Sequence, residues 1–448
     1  MINSTHIRTP WLMLGGLLAL GLFYWAATRH AQQVNLGVTS YDQNGYLYYG
    51  RLLHETDYQY VGDRNRMPLY PFLLSLIYQS RWSEEQFFTA GKTFNVILSA
   101  VLLIGLFFIL KKFLSLFSAI NLWLITAFTV FLFKAPYVQA ENLFYFLNFL
   151  LFLTLLRLFS KPGWIAAIAA GVLFGLAHLT KASVLPELLA FLVVGGSKMT
   201  YEAWQRRKTG SMQTVPLLRA VAQWGMVLLL FLLIVSPYLA NSKKIFGQYF
   251  YNVNSTFYFW CETVEEWKSG PKAHGDRFGW PDLTPEQTPS AGNYLAKHGV
   301  AHLVHRLYRG GRTLWTTCRT SFGFFNYLLI YSFFLVVVAL LNRRQLVQWI
   351  KKHIFLFLFV VVLFFGYGLL MAWWNYLGPQ VRHVLAFFLP FAFVCVRLVE
   401  KLPVQSWSLG VHRSINLTTA FNVALAIYLV FDLAQILTVR IVTISAGI

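Results

Sequence analysis

Apolar runs, most of them roughly 16–24 residues, recur from one end of this chain to the other, and most are long enough to cross a bilayer as a helix. They fall near 11–27, 87–110, 116–133, 141–158, 164–179, 184–194, 220–238, 324–341, 354–371, 384–396 and 417–437. Backbone that enters hydrocarbon must satisfy its own hydrogen bonds, so such runs are helices. Composition agrees: 57% of the 448 residues are hydrophobic and 12% are charged, about half the charged share of a soluble chain. A soluble fold of this size has too few charges here to cover its surface. Disorder, a coiled coil and a disulfide-stapled secreted fold are excluded on the same grounds. The expected fold class is all-α, a polytopic membrane helical bundle of about eleven transmembrane helices with outer interfacial helices. The first run, preceded by His6 and Arg8, resembles a retained signal anchor.

The charge pattern orients the bundle. Lys plus Arg exceed Asp plus Glu by 37 to 17, a net +20, which in a soluble protein would suggest nucleic acid. Here the excess sits in short loops between apolar runs, so nucleic acid is not an expected partner. Lys111 and Lys112, Arg157 and Lys161, Lys198 to Lys208, Arg343 to Lys352, and Arg397 to Arg413 occupy every second loop, as positive-inside orientation requires. From an inside N-terminus, the long polar stretches near 29–86 and 241–322 lie outside. The chain then divides into a transmembrane module with the first outer loop (1–240), a second outer loop with interfacial helices (241–322), and a C-terminal transmembrane module (323–448). Cys261 and Cys318 share the outer side, where a disulfide is chemically allowed; Cys395 lies within a span.

Function must be sought in what the outer side displays. In 40–53, Tyr46, Tyr49 and Leu53 fall on one helical face, which suits a helix lying at the headgroup level, and Asp42 stands at its start. Such an Asp is either a helix cap or a general base facing a substrate at the membrane surface. Downstream, Arg64 and Arg66 precede Met67-Pro68-Leu69-Tyr70-Pro71. Guanidinium groups there suit lipid headgroups or a bound phosphate, whose oxygens they match with paired donors. Glu141 opens an apolar run; an acid there is costly unless it is paired, with Lys134 or Lys181, or faces a polar cavity. In the second outer stretch His298, His302 and His305 recur at helical spacing, as in some zinc sites. A solvated or headgroup-facing stripe is the preferred reading, because Gly299 weakens the helix and no carboxylate or cysteine stands nearby in the sequence.

Taken in order, these segments resemble the type-C glycosyltransferase superfamily. A short first span, an Asp-led amphipathic helix and a basic residue before Pro68-Leu69-Tyr70-Pro71 carry the likeness. So do Ala140-Glu141-Asn142, Gly175-Leu176-Ala177-His178-Leu179-Thr180-Lys181, Ser236-Pro237-Tyr238-Leu239-Ala240-Asn241 and Arg382-His383-Val384-Leu385. Ala240 replaces the family's usual arginine. The similar branch is bacterial and contains protein mannosyltransferase-like, lipid A aminoarabinose transferase-like and galacturonosyltransferase-like enzymes.

The resemblance implies an enzyme of the inner (plasma) membrane, active on its periplasmic side. It would move a sugar from a polyprenyl-phosphate donor to a lipid, glycan or protein acceptor, with inversion. It implies Asp42 as catalytic base, with Glu141 beside it in acceptor binding or metal coordination. Arg66 and Arg382 are then the donor-phosphate residues, with Arg64 and Lys181 in support. It leaves the metal unassigned, since some relatives are associated with a divalent ion and others are not. The main rival is a transporter or flippase of lipid-linked sugars. Binding at mid-depth between repeated halves would favour it, whereas the charges here gather outside.

Overall fold

A computed structural model describes residues 8–59, 62–63, 65–209, 215–270, 283–402, 406–408 and 414–444. Among them the chain is helical apart from loops and one small hairpin, in which Ser406–Ser408 pairs antiparallel with Ser414–Asn416. Eight helices are long and apolar enough to cross a membrane: Glu84–Phe113, Glu141–Ser160, Ala182–Lys208, Leu217–Phe246, Phe324–Leu341, Ile354–Trp374, Arg382–Lys401 and Leu417–Thr443. Leu116–Phe131 and Trp164–Thr180 are shorter apolar helices, and the described residues begin with the 26-residue helix Arg8–Gln33. This is a multi-pass membrane protein.

Burial sorts the helices into a centre and a periphery. The apolar windows of Glu141–Ser160 and Arg382–Lys401 are each 61% buried, against 22% for Ile354–Trp374. The latter buries Phe359, Leu363, Tyr367 and Met371 along one stripe, and exposes Leu358, Val361, Val362, Phe365 and Leu369. An apolar face turned outward is what a lipid-facing helix requires. The two central helices meet through side chains: Tyr145 donates its hydroxyl to the Arg382 carbonyl at 2.7 Å. Both begin at the same end of the bundle.

At that end the chain departs from regular helix. The run expected to continue as helix to 133 ends in a π-turn at Ala127–Phe131, and the irregular segment 132–140 is wholly buried. Non-helical backbone at such depth survives only where protein groups satisfy it. Side-chain amides from elsewhere in the chain do so here. Asn95 Nδ2 donates to the Ala135 and Tyr137 carbonyls at 3.0 and 2.6 Å, and Asn35 Nδ2 to the Pro136 carbonyl at 2.9 Å. The Val138 N–H donates to Gln43 Oε1 at 2.9 Å. Periodicity does not distinguish an apolar helix from an apolar buried turn, so the sequence concealed this segment.

The three cysteines are buried and free, so the allowed pairing of Cys261 with Cys318 does not form.

Candidate functional site

The Ser40–Asp42 turn of 3-10 helix leads into the helix Gln43–Glu55. Tyr46, Tyr49 and Leu53 share a buried face as the spacing predicts, but they pack on protein rather than lying against headgroups. Tyr46, for example, meets the Tyr70 ring edge-on at 5.4 Å. Gln43 is the fastener. Fully buried, its amide donates to Asn35 Oδ1 at 2.7 Å while its Oε1 receives the Val138 N–H. The start of the polar segment 29–86 is thereby tied to the buried 132–140 turn, which runs directly into Glu141.

Asp42 precedes Gln43 in the left-handed region, at φ 69 and ψ 1. Asp tolerates this conformation better than most residues, though it costs of order 1 kcal/mol. The carboxylate makes no capping bond to the helix it precedes, so the helix-cap role does not apply. It turns instead to two arginines: Arg382 Nη1 donates to Oδ2 at 3.0 Å, and Arg66 Nη2 lies 3.6 Å from Oδ1. The Asp42 side chain nevertheless remains 45% exposed. Partial burial pulls its carboxyl upward, but Arg382 and then Arg66 outweigh that and hold it below the usual carboxylate range.

Each arginine is itself positioned. The Asp63 carboxylate accepts the backbone N–H groups of Asn65 and Arg66 at 3.1 and 2.9 Å, shaping a turn that presents Arg66. Its guanidinium then lies 5.5 Å from the Tyr46 ring centroid and above Gly45, where a Cβ would stand 2.0 Å from Arg66 Cζ. Glycine is required there by the guanidinium, not by backbone angles. Arg382 stands in the first turn of its helix, where the dipole disfavours a cation; acids offset this, Asp42 at 3.0 Å and Glu141 at 3.9 Å.

Glu141, 1% exposed, takes a hydrogen bond from Lys181 Nζ at 2.9 Å. Of the two lysine partners that the sequence offered, Lys181 makes the close pair. Lys181 sits just past Thr180, where the helix ends in extended backbone and turns the side chain back toward Glu141.

Five of the six candidate residues thus form one connected cluster, Arg66–Asp42–Arg382–Glu141–Lys181; Arg64 lies outside the described residues. Three buried atoms on it have no hydrogen-bond partner among the described residues: Arg66 Nε, Arg382 Nε and Glu141 Oε2. Asp63, 3.7 Å from Arg66, brings the count to three cations and three carboxylates, yet both guanidiniums keep an unused Nε donor. That arrangement suits a phosphate or another anion. It does not suit a divalent metal beside Asp42, because its carboxylate and that of Glu141 are already committed to cations that would repel one. Sequence reasoning missed Gln43, Asn35 and Asn95; each is an amide whose role depends on a backbone group distant in the chain, and no local pattern marks it.

No family model matches this chain, and neither the curated proteins nor the solved structures contain a match to it.

Proposed function

We propose that the protein is an inverting glycosyltransferase of the type-C class. In this reading about eleven helices embed it in the inner membrane, and it uses a polyprenyl-phosphate sugar at the periplasmic end of its bundle. The observation that carries the proposal is the Asp42 carboxylate, held in a left-handed turn between Arg382 and Arg66 while still open to solvent. A base and two phosphate-binding cations at one point are what this transfer needs. The oligopeptide motifs that resemble the family supply the substrate class.

Asp42 takes the proton of the acceptor hydroxyl as its oxygen bonds to the anomeric carbon. The bond from that carbon to the phosphate oxygen breaks on the opposite face, and the electron pair leaves with polyprenyl phosphate. The phosphate gains a negative charge in that step, which Arg66 and Arg382 offset. Lys181 pairs with Glu141, whose carboxylate also faces Arg382, and so helps fix where that guanidinium points. When the arginines turn toward the donor phosphate, Asp42 loses part of their pull and becomes a stronger base. Clustering of charge at one end, rather than at mid-depth, supports this reading over the flippase.

The test supplies purified protein with a panel of polyprenyl-phosphate sugars and follows release of polyprenyl phosphate. Release from at least one donor is expected. No release, with lipid-linked sugar instead crossing reconstituted vesicles, would replace the proposal with the flippase.

Two substitutions probe donor binding. Arg66→Ala and Arg382→Ala each remove charge-assisted hydrogen bonds worth about 1.5–3 kcal/mol, so donor KM is expected to rise at least about tenfold. Gly45→Ala is subtler. The added methyl displaces the Arg66 guanidinium, so the variant should show the donor defect of Arg66→Ala. Its thermal midpoint should be unchanged or higher, because Ala favours helix over Gly by about 1 kcal/mol. Unchanged donor KM in Gly45→Ala would remove Arg66 from the phosphate site.

A further inference from the structure

Away from this cluster, the second outer segment brings together groups that are far apart in sequence. Among the described residues, Glu262, His298 and His302 are the one His/Cys/Asp/Glu group with metal-binding geometry, their ligand atoms all lying within 4.8 Å of one another. Glu262 Oε1 lies 3.2 Å from His302 Nε2 and 4.0 Å from His298 Nε2. Ligands about 2.0 Å from a tetrahedral zinc stand roughly 3.3 Å apart, so small side-chain shifts suffice. The carboxylate that the sequence does not place near the histidines comes from forty residues away.

We propose that Glu262, His298 and His302 form a zinc site that fastens the second outer segment, with water completing the tetrahedron. The tautomer of His298 is the strongest argument. Its Nδ1 lies 2.9 Å from the Tyr294 carbonyl, a partner that accepts only, so Nδ1 carries the proton. In the neutral ring Nε2 then turns a lone pair toward the carboxylate. Two acceptors facing each other repel, and a cation between them converts the repulsion into coordination. A histidine anchored at one nitrogen by a backbone carbonyl and free at the other is the usual arrangement of a zinc ligand.

The surroundings hold the ligands in place. The imidazoles stack at 4.2 Å, and Tyr294 packs on His298 at 4.3 Å and on Trp373 at 5.3 Å. Tyr376 donates its hydroxyl to Glu262 Oε2 at 3.3 Å. Arg306 approaches Glu262 Oε1 at 3.3 Å, a cation that opposes a metal. Its guanidinium is partly satisfied elsewhere: it donates to the Cys261 and Phe259 carbonyls at 3.0 and 3.1 Å and lies 4.4 Å from the Trp373 ring centroid. Glu266, whose Oε2 accepts the Glu262 N–H at 2.7 Å, adds a second negative charge. His305, third in the sequence pattern, is exposed and outside the group.

Two histidines and one carboxylate suit zinc among the biological divalent ions. The ion would tie Glu262, which precedes the helix Val264–Ser269, to His302 in the first turn of the helix Val300–Thr320. The site does not depend on the transfer reaction, so its test is zinc binding. Purified full-length protein is stripped with a chelator, dialysed, and titrated with zinc against a competing chromophore. About one equivalent is expected, with affinity falling as pH drops and the histidines take up protons. Glu262→Gln and His302→Ala should each weaken binding more than about 100-fold, beyond what loss of a supporting contact costs. His305→Ala and Asp42→Asn should bind as the native chain does. Cobalt added to the native protein provides a check that needs no variant: intense four-coordinate absorption bands are expected. Failure of the native chain to bind, equal binding by the Glu262 and His302 variants, or weak six-coordinate cobalt bands would each overturn the site.

Discussion

Asp42→Asn is expected to abolish sugar transfer while leaving the protein folded. A positioned general base contributes about 10²–10⁴ in rate, and release of polyprenyl phosphate should fall by that range at saturating donor. Asn is nearly isosteric and populates the left-handed region as readily as Asp, so the turn at φ 69 survives. The side chain is half-exposed and makes no helix-capping bond that the fold would miss. Arg66 keeps Asp63 at 3.7 Å and Arg382 keeps Glu141 at 3.9 Å, so neither is left without a carboxylate and the thermal midpoint should barely move. Because the two arginines hold the Asp42 carboxyl below the usual range, the base stays ionised through neutral pH. The acidic fall in kcat/KM, which reports the free enzyme, should therefore lie below the ordinary carboxylate value of about 3.9. Arg66→Ala should move that fall to higher pH. Any stability that the Asp42 pairs add follows the same sign: it is present above the unfolded carboxyl's pKa and lost as pH drops through the lower folded one. Near-native turnover in Asp42→Asn would remove Asp42 as the base.

The second large effect concerns stability. Lys181→Met is expected to destabilise the protein by about 3–5 kcal/mol, the usual result of leaving one member of a buried ion pair alone. Glu141 is 1% exposed and its closest cation is Lys181, at 2.9 Å; Arg382 stands 3.9 Å away. The companion variant, Glu141→Gln with Lys181→Met, removes both charges and should recover much of the loss, since a buried pair replaced as a unit is often close to neutral. Ranking the apparent thermal midpoints of native, single and double variants in one detergent tests this. A single variant as stable as native would mean that water reaches Glu141. Transfer should fall in both variants, because Arg382 loses the carboxylate that directs it.

That apolar helices cross the membrane repeatedly was legible because apolarity is local: a run of membrane length favours helix wherever it lies. Glu141 was legible because it stands at the edge of an apolar run, where a charge is costly without a partner; Asp42 stood out at the start of an amphipathic helix, and Arg66, Lys181 and Arg382 through the segments that resemble a known family. Which partner each took was not written there. Asp42 reaches Arg382 across 340 positions, and Glu141 finds Lys181 across 40. Glu262 joins two histidines that, by local spacing, lacked a carboxylate.

The turn at 132–140 makes the same distinction in the backbone. Its composition matches an apolar helix, and Asn35, Asn95 and Gln43, arriving from elsewhere in the chain, help it leave helical geometry while buried. The sequence by itself determined a multi-pass helical membrane protein and the residue types on one face of it, because hydrophobicity and charge act residue by residue. Only the tertiary structure decided that an aspartate in a strained turn, two arginines and a buried Glu–Lys pair share one site, because pairing is set by distance in space and not along the chain.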